Sequence, residues 1–503
     1  MNRGQLIGLM GNSKIRSIYK SQNAQIQAIF ERAQSLRKVL CVAIDYAKAK
    51  HVALICDGNG DILKNPFTVI NNPEGVAFLL EEIAATARHR KIPKSQIFLG
   101  GEDAPSYVDN FILALKQSGF LVARVNAAEA KLNRENSLAS TDQLDLLGIA
   151  KTLLSRRARS AGDPLDEDEN LYLRIRDLSR TRRQLVKQKT ACGNRVHTLS
   201  DRLFPGFLNP SSSVLSPFSA PCLDLMKERF SAPQIASRKP ESLAKFLRKY
   251  SVHHPDEKAA KLIILARNAL PPEPDRVFAL QQSLAASADL HLCLDRNAQH
   301  LKQEAAHALL QTPYALLTSI GGIGLTLAAG LAGELGDPKR LGGVDSLCGY
   351  AGIVPRSNQT GGPDKPAHQG GTSPKCNRVL KDWLVQASQK VALYGPDEWK
   401  QRHTRWAVGG QHAAFAGAKR LLRLTRTMTR QQIPWMSAAA RAQNATREIR
   451  ARDAEATFEI LVHKWRGVPN WQELVFAPDR PLGFWRKLSM EMHGAQLPLR
   501  GDG

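Results

Sequence analysis

At 503 residues the chain is too long for one ordinary core, so two to four domains are expected. Its 70 Lys and Arg against 46 Asp and Glu leave a formal net charge of +24, an excess that asks for a polyanionic partner, nucleic acid first among them. The 7 cysteines are scattered without a CxxC pair. That pattern argues against a zinc ribbon or a disulfide framework and fits a reducing cytosol. Without a signal peptide or a membrane-length apolar run, the expectation is a soluble cytoplasmic protein with no membrane partner.

Residues 1–38 read as an N-terminal extension with a helix-like run over 22–37. From 39 to 58, VLCVAIDYAKAKHVALICDG predicts two strands joined by a tight polar turn. The first strand is apolar on both faces and then ends in Asp45, either as a turn former or because the carboxylate holds a divalent metal. NPFTVIN (65–71) is a third strand, and Pro73 with Glu74 starts an amphipathic helix that runs to Arg90. SQIFLGGE (95–102) is a fourth strand, again ending in a carboxylate, Glu102; a helix over 108–119 and a strand over 120–126 follow. Strands in a hairpin followed by alternating helices and strands predict a mixed α/β sheet.

The run ASTDQLDLLGIAKTLLSRRAR (139–159) predicts a helix capped by Ser140 or Thr141. Its spacing of three places Asp142 and Asp145 on one face, where the helix dipole also favours them. AGDPLDEDEN (161–170) reads as a solvated acidic linker. Residues 171–204 then predict one long helix, with nine basic and two acidic residues between Tyr172 and Arg202. Such a one-sided run suits a coiled-coil arm that grips phosphates, with Arg182 and Arg183 as candidate contacts. After a Pro/Ser/Gly-rich break at 205–221, several helices are expected to 310, the last an antiparallel partner.

A further compact unit is expected from about 312. TSIGGIGLTLAAGLAGELGD (318–337) has the form of a helix-hairpin-helix, whose Gly322 and Gly324 let backbone N–H groups approach a phosphate. A polar loop after LCGYAGIVP (347–355) carries Ser357, Thr360, Thr372 and Ser373, hydroxyls of the kind a nucleophile requires, ahead of a helix from Asn377. No acidic residue falls between Glu398 and Glu448, while Lys419, Arg420, Arg423, Arg426 and Arg430 recur among Trp399, Trp406 and Trp435. This stretch reads as a nucleic-acid surface. Residues 436–503 form a basic, Trp-containing tail without an assigned role.

Asp45, Glu102, Asp142 and Asp145 thus fall on elements that converge at one end of a ribonuclease-H-like sheet. Four acids there repel one another unless Mg²⁺ or Mn²⁺ neutralises them, and two such ions can activate an attacking oxygen and stabilise a leaving one on a phosphodiester.

With IDYAKAKH (44–51), GGEDAPSY (100–107), VNAAEAKLNRENS (125–137) and TDQLD (141–145), the chain resembles the IS110 transposases, DEDD recombinases with a RuvC-like domain. SIGGIGLTLAAGLAGELGD, GYAGIVPRSNQTGG and SPKCNRVLKDWLVQA carry the likeness through the second half. The resemblance implies a multidomain α/β plus α protein. It has an extension (1–38), a RuvC-like domain (39–160), a helical coiled-coil region (171–310), a mostly helical transposase domain (312–435) and a tail (436–503). It further implies a homo-oligomeric complex on DNA in a bacterial cell, nucleoid-associated when bound, guidance by a structured RNA, and a serine nucleophile. Here Thr360–Gly361 stands where the family has Ser-Gly, and Thr141 stands where a Lys commonly precedes the Asp pair. Either Thr360 attacks despite its stiffer, more crowded side chain, or Ser357 or Ser373 does, or strand exchange is impaired. Arg356 and Lys375 would neutralise the phosphate. Two other readings remain: a RuvC-like nuclease that uses water, and an inactive nucleic-acid-binding relic.

Overall fold

The structure, a computed structural model, describes residues 23–102, 108–134, 142–156, 158–160, 167–209, 211, 213–228, 230–358, 368–372, 376–408 and 412–476. The chain forms two compact units, residues 1–169 and 170–503.

The first unit begins with α1 (Ala24–Arg32), in the stretch expected to be an extension. Its Ile26, Ile29 and Phe30 are buried in one of the unit's two cores. The hairpin follows as β1 (Leu40–Asp45) and β2 (Lys50–Asp57), then β3 (Ile62–Ile70) and α2 (Pro73–Arg90). Asn72 caps α2 by accepting from the Gly75 N–H at 2.8 Å, with Pro73 in the first turn, where a missing N–H costs nothing. β4 (Ile97–Glu102), α3 (Asp109–Gln117), β5 (Leu121–Val125), α4 (Ala127–Leu132), α5 (Asp142–Leu154) and the short β6 (Arg159–Ser160) complete the unit.

The strands lie in the order β3-β2-β1-β4-β5-β6. β1 is antiparallel to β2 and parallel to β4, and β4 is parallel to β5. β1 is apolar up to Asp45 because both of its faces are covered. Leu40, Val42 and Ile44 face the core that contains Leu79 and Ile83 of α2, whereas Cys41 and Ala43 face the core of α1 and α5. This is the expected mixed sheet of a RuvC-like domain.

The second unit is helical. α6 (Glu167–Leu203) leads to α7 (Ala220–Lys227), α8 (Ala232–Ala236), α9 (Pro240–Arg248) and α10 (Pro255–Arg267), and α11 (Val277–Leu310) returns. α6 and α11 are antiparallel: Arg174 pairs with Glu304, Lys189 with Asp295 at 2.7 Å, and the Cys192 thiol donates to the Ser287 carbonyl at 3.1 Å. Val196 and Leu203 at one end of α6 join the α7–α10 core, while Tyr172 and Ile175 at the other end join a second, larger core.

That larger core is built by a seven-residue 3₁₀ helix (Pro313–Ser319), α12 (Leu325–Leu335), α13 (Val344–Ala351), α14 (Arg378–Tyr394), α15 (Asp397–Val408), α16 (Ala413–Gln431), α18 (Arg447–Trp465) and α19 (Trp471–Phe476), with the short α17 (Ala438–Arg441) between α16 and α18. The polar loop before α14 contains a feature the sequence pattern does not announce. β7 (Pro355–Asn358) and β8 (His368–Thr372) form an antiparallel ribbon. Apart from Pro355 its residues are polar or glycine, so no apolar alternation marks them.

The tail reading also changes over 436–476. Leu461, Trp465, Val468 and Val475 are buried in the same core as α12 and α14. Among the described residues, no helix is long and apolar enough to cross a membrane.

Candidate active site

In the parallel ladder Ile44 pairs with Gly101, so Asp45 and Glu102 end two neighbouring strands side by side. Strands in a ladder lie about 4.8 Å apart, which makes this a close pair of like charges. Both side chains are only partly exposed. Burial pushes the Glu102 carboxyl above its ordinary range, and the charges of Asp45 and Asp145 push it further, while Arg134 pulls it back. Three of the four expected acids therefore act on one another. Asp142 is the first residue of α5, but its side chain lies outside the described residues.

Three neighbours shape this end of the sheet. Arg134, just after α4, forms an ion pair with Asp145. Tyr46 is buried against Gly101, where a Cβ would stand 2.4 Å from its ring and 2.2 Å from the Ile44 carbonyl, so only glycine admits both. His51 is fully buried, and its Nδ1 accepts from the Ala47 N–H at 3.2 Å, which holds the turn after Asp45. Burial lowers its pKa, favouring the neutral ring this bond requires. Sequence reasoning singled out none of the three. Arg134 lay within the quoted NRENS run, and only the sheet brings it to the acids.

The donor chemistry fits a hard divalent cation: carboxylate oxygens at adjacent strand ends, with mutual repulsion that such a charge would relieve. Asp45, Glu102 and Asp145 are the described residues that would hold it. Even so, among the described residues no group of three His, Cys, Asp or Glu side chains lies close enough to hold a metal ion. Arg134, already on Asp145, supplies part of the compensating charge.

The other predicted residues lie in the second unit. Arg183 forms an ion pair with Asp382 of α14, and Arg182 is half-buried beside Ser179, Lys302 and Trp383, where burial lowers its pKa. Gly322 has φ +88°, and a Cβ there would stand 2.4 Å from the Lys390 carbonyl. Its turn therefore needs glycine for fit against α14. Gly324 precedes α12 in open space. Arg356 lies in β7 and Ser357 two residues into it, but their side chains are outside the described residues. Thr360, Ser373 and Lys375 also lie outside them. Thr372 is described, and its Oγ accepts from Lys381 Nζ at 2.7 Å.

Two of the three tryptophans of the acid-free stretch are buried, and Trp406 is partly exposed. Trp399 is 1 % exposed and Trp435 9 %, with the guanidinium groups of Arg420 and Arg441 stacked on them at 5.1 and 4.7 Å. Arg430 donates to the carbonyls of Pro338, Lys339 and Leu341, and Arg426 to that of Gly342. These contacts hold the helices together, a packing role that the sequence reading of the stretch did not include. Lys464 likewise donates to the carbonyls of Ile323 at 3.0 Å and Ile320 at 3.2 Å, and burial brings it down to about 8. It thereby holds the glycine turn.

Two family descriptions match the chain. A model of the IS110 DEDD domain, described as a transposase, matches residues 42–205. A model described as the transposase IS116/IS110/IS902 family matches residues 314–404. Together they cover about half of the chain. No curated protein matches it. A DEDD transposase domain implies a divalent metal cation and a DNA substrate. With a RuvC-like sheet that ends in neighbouring carboxylates within the first match, and part of the helical second unit within the two matches, the chain belongs to the IS110 family of transposases, enzymes that cut and rejoin DNA.

Proposed function

We propose that this chain recombines DNA through a covalent protein–DNA intermediate, with Asp45, Glu102, Asp142 and Asp145 as the metal-holding acids and the Thr360 hydroxyl as nucleophile. The observation that carries this reading is the raised pKa of Glu102, caused by burial and by the charges of Asp45 and Asp145. A structure that gathers like charges at strand ends maintains a cost that a bound cation removes, as expected for a functional site. When bound, Mg²⁺ or Mn²⁺ supplies charge stabilisation for the phosphodiester oxygens.

The remaining chemistry falls to the chain's own residues. The Thr360 oxygen forms a bond to phosphorus as one deoxyribose oxygen leaves, and the threonine proton balances the hydroxyl released. Attack by the hydroxyl of the incoming strand reverses the step, joins the DNA and restores Thr360. Arg356 and Lys375 offset the phosphate charge.

For nucleic acid, Lys187 and Arg195 are exposed on α6, whereas Arg183 is engaged by Asp382. They are suited to phosphates of DNA or of a structured guide RNA, in a homo-oligomer assembled on DNA.

The test is adduct trapping. The full chain, expressed from a plasmid that carries the gene with its native flanking DNA, should give protein–DNA adducts that survive denaturation. Thr360→Ala should abolish them. Cut DNA from the wild type without any adduct would replace this reading with hydrolysis by water. Sequencing the RNA that co-purifies tests guidance.

A further inference from the structure

The Glu334 side chain, on α12, is 2 % exposed, yet it is a carboxylate. Arg180, from the middle of the basic run on α6, grips it with two hydrogen bonds, Nε to Oε1 at 2.7 Å and Nη2 to Oε2 at 2.8 Å. The helices can approach this closely because Gly333 has no side chain: a Cβ there would stand 2.5 Å from the Arg176 Cα. The other partner of Glu334 is Asn377, whose Nδ2 donates to Oε2 at 2.7 Å.

Asn377 sits at a junction. Its Oδ1 caps α14 by accepting from the Leu380 N–H at 3.0 Å, and its own N–H donates to the Tyr350 carbonyl at 2.8 Å. Nδ2 also donates to the Tyr350 hydroxyl at 2.9 Å. Tyr350 lies just before the β7–β8 ribbon and Asn377 just after it, so these bonds close the base of the segment that contains Thr360.

We infer that Arg180, Glu334 and Asn377 form a positioning relay that ties the long helix α6 to the base of the hydroxyl-bearing ribbon. The Glu334 carboxylate is buried while Arg180 reaches it from the half-exposed side, so the pair specifies one geometry because the carboxylate is costly to leave unpaired. The relay makes the placement of the ribbon depend on that of the arm helix. Within the basic run Arg180 is the member that reaches the buried Glu334, so its charge is spent on fixing geometry. The relay rests on the proposed role of the ribbon in strand joining.

The test exchanges donor and acceptor. Asn377→Asp sets two carboxylates against each other but keeps the oxygen that caps α14. Glu334→Gln removes the charge but keeps the shape. Together they restore one hydrogen bond of reversed polarity. Each full-length variant is expressed from the plasmid that carries the gene with its native flanking DNA. Recombinant junctions are counted by quantitative PCR, with DNA retention and thermal melting measured on the purified chain.

Each single variant should lose about tenfold or more in junction formation, since small misplacements of reacting groups are costly. DNA retention should stay within about twofold, and the double variant should recover to within about threefold of wild type. Loss of fold alone would lower retention along with junctions and would not be rescued. Single variants that join DNA like the wild type, or a double variant no better than its weaker parent, would overturn the relay. Wild-type junctions formed without any covalent adduct would overturn the Thr360 reading alone, because the rescue is scored on junctions.

Discussion

The two units treat charge in opposite ways. In the first, burial and the neighbouring charges of Asp45 and Asp145 together raise the Glu102 pKa, with Arg134 as partial relief. In the second, many of the charges that look available in the sequence are satisfied within the unit. Arg183 meets Asp382, Arg180 meets Glu334, and Arg430 and Lys464 are held by backbone carbonyls. Like charges held together without full compensation mark a place where something outside the protein is meant to bind. Opposite charges brought together inside the unit mark scaffolding, however basic the local sequence. A count of Lys and Arg cannot tell these uses apart.

Four measurements would break or sharpen this contrast. The largest effect is expected at Asp45. Asp45→Asn should lower junction formation by about a thousandfold or more, because the metal-held acids act as a unit, while leaving DNA retention near that of the wild type. A variant that still excises DNA would remove the carboxylates from the mechanism.

Next in size is Lys464→Met, which leaves the carbonyls of the glycine turn without their donor. It should reduce stability by about 2 kcal/mol in denaturant unfolding. An unchanged midpoint would mean that water takes over the bonds and that α18 does not hold the turn.

A smaller effect separates cations exposed along α6 from one held by backbone carbonyls. Lys187→Ala and Arg195→Ala should each weaken nucleic-acid binding a few-fold and reduce the slope of log affinity against log salt by about one. Arg430→Ala should leave that slope unchanged while lowering the melting temperature. If Arg430 alters the slope instead, the division between scaffolding and contact is misplaced.

The smallest effect is the pH dependence at Glu102. Its folded pKa lies above its unfolded value, so the folded state binds more protons through that range. Stability is then gained as pH falls through it and lost as pH rises toward neutrality. Glu102→Gln should flatten this slope in metal-free protein, a change of about 2 °C in the melting midpoint near neutral pH. An unaltered slope would show that neither burial nor the neighbouring carboxylates raise the Glu102 pKa.

Much of the first unit was legible because its elements alternate and its strands are covered on both faces. The apolar run ending in Asp45 and the run ending in Glu102 could be placed on strands from residue type alone, and the Asp142–Asp145 spacing placed them on one helix face. Helix α1 was harder to place: nothing local shows that Ile26, Ile29 and Phe30 pack under the sheet. The β7–β8 ribbon was not legible, because polar and glycine residues give no period to follow.

By itself, the sequence determined the order of elements, the excess of positive charge and the family, since all three depend on local patterns and motifs. Only the tertiary structure decided which charges are neighbours. Arg134 reaches Asp145 and Arg180 reaches Glu334 through the packing of elements distant in the chain. Trp399 and Trp435 turn inward for the same reason: burial is a property of what covers a residue, and the covering chain lies elsewhere.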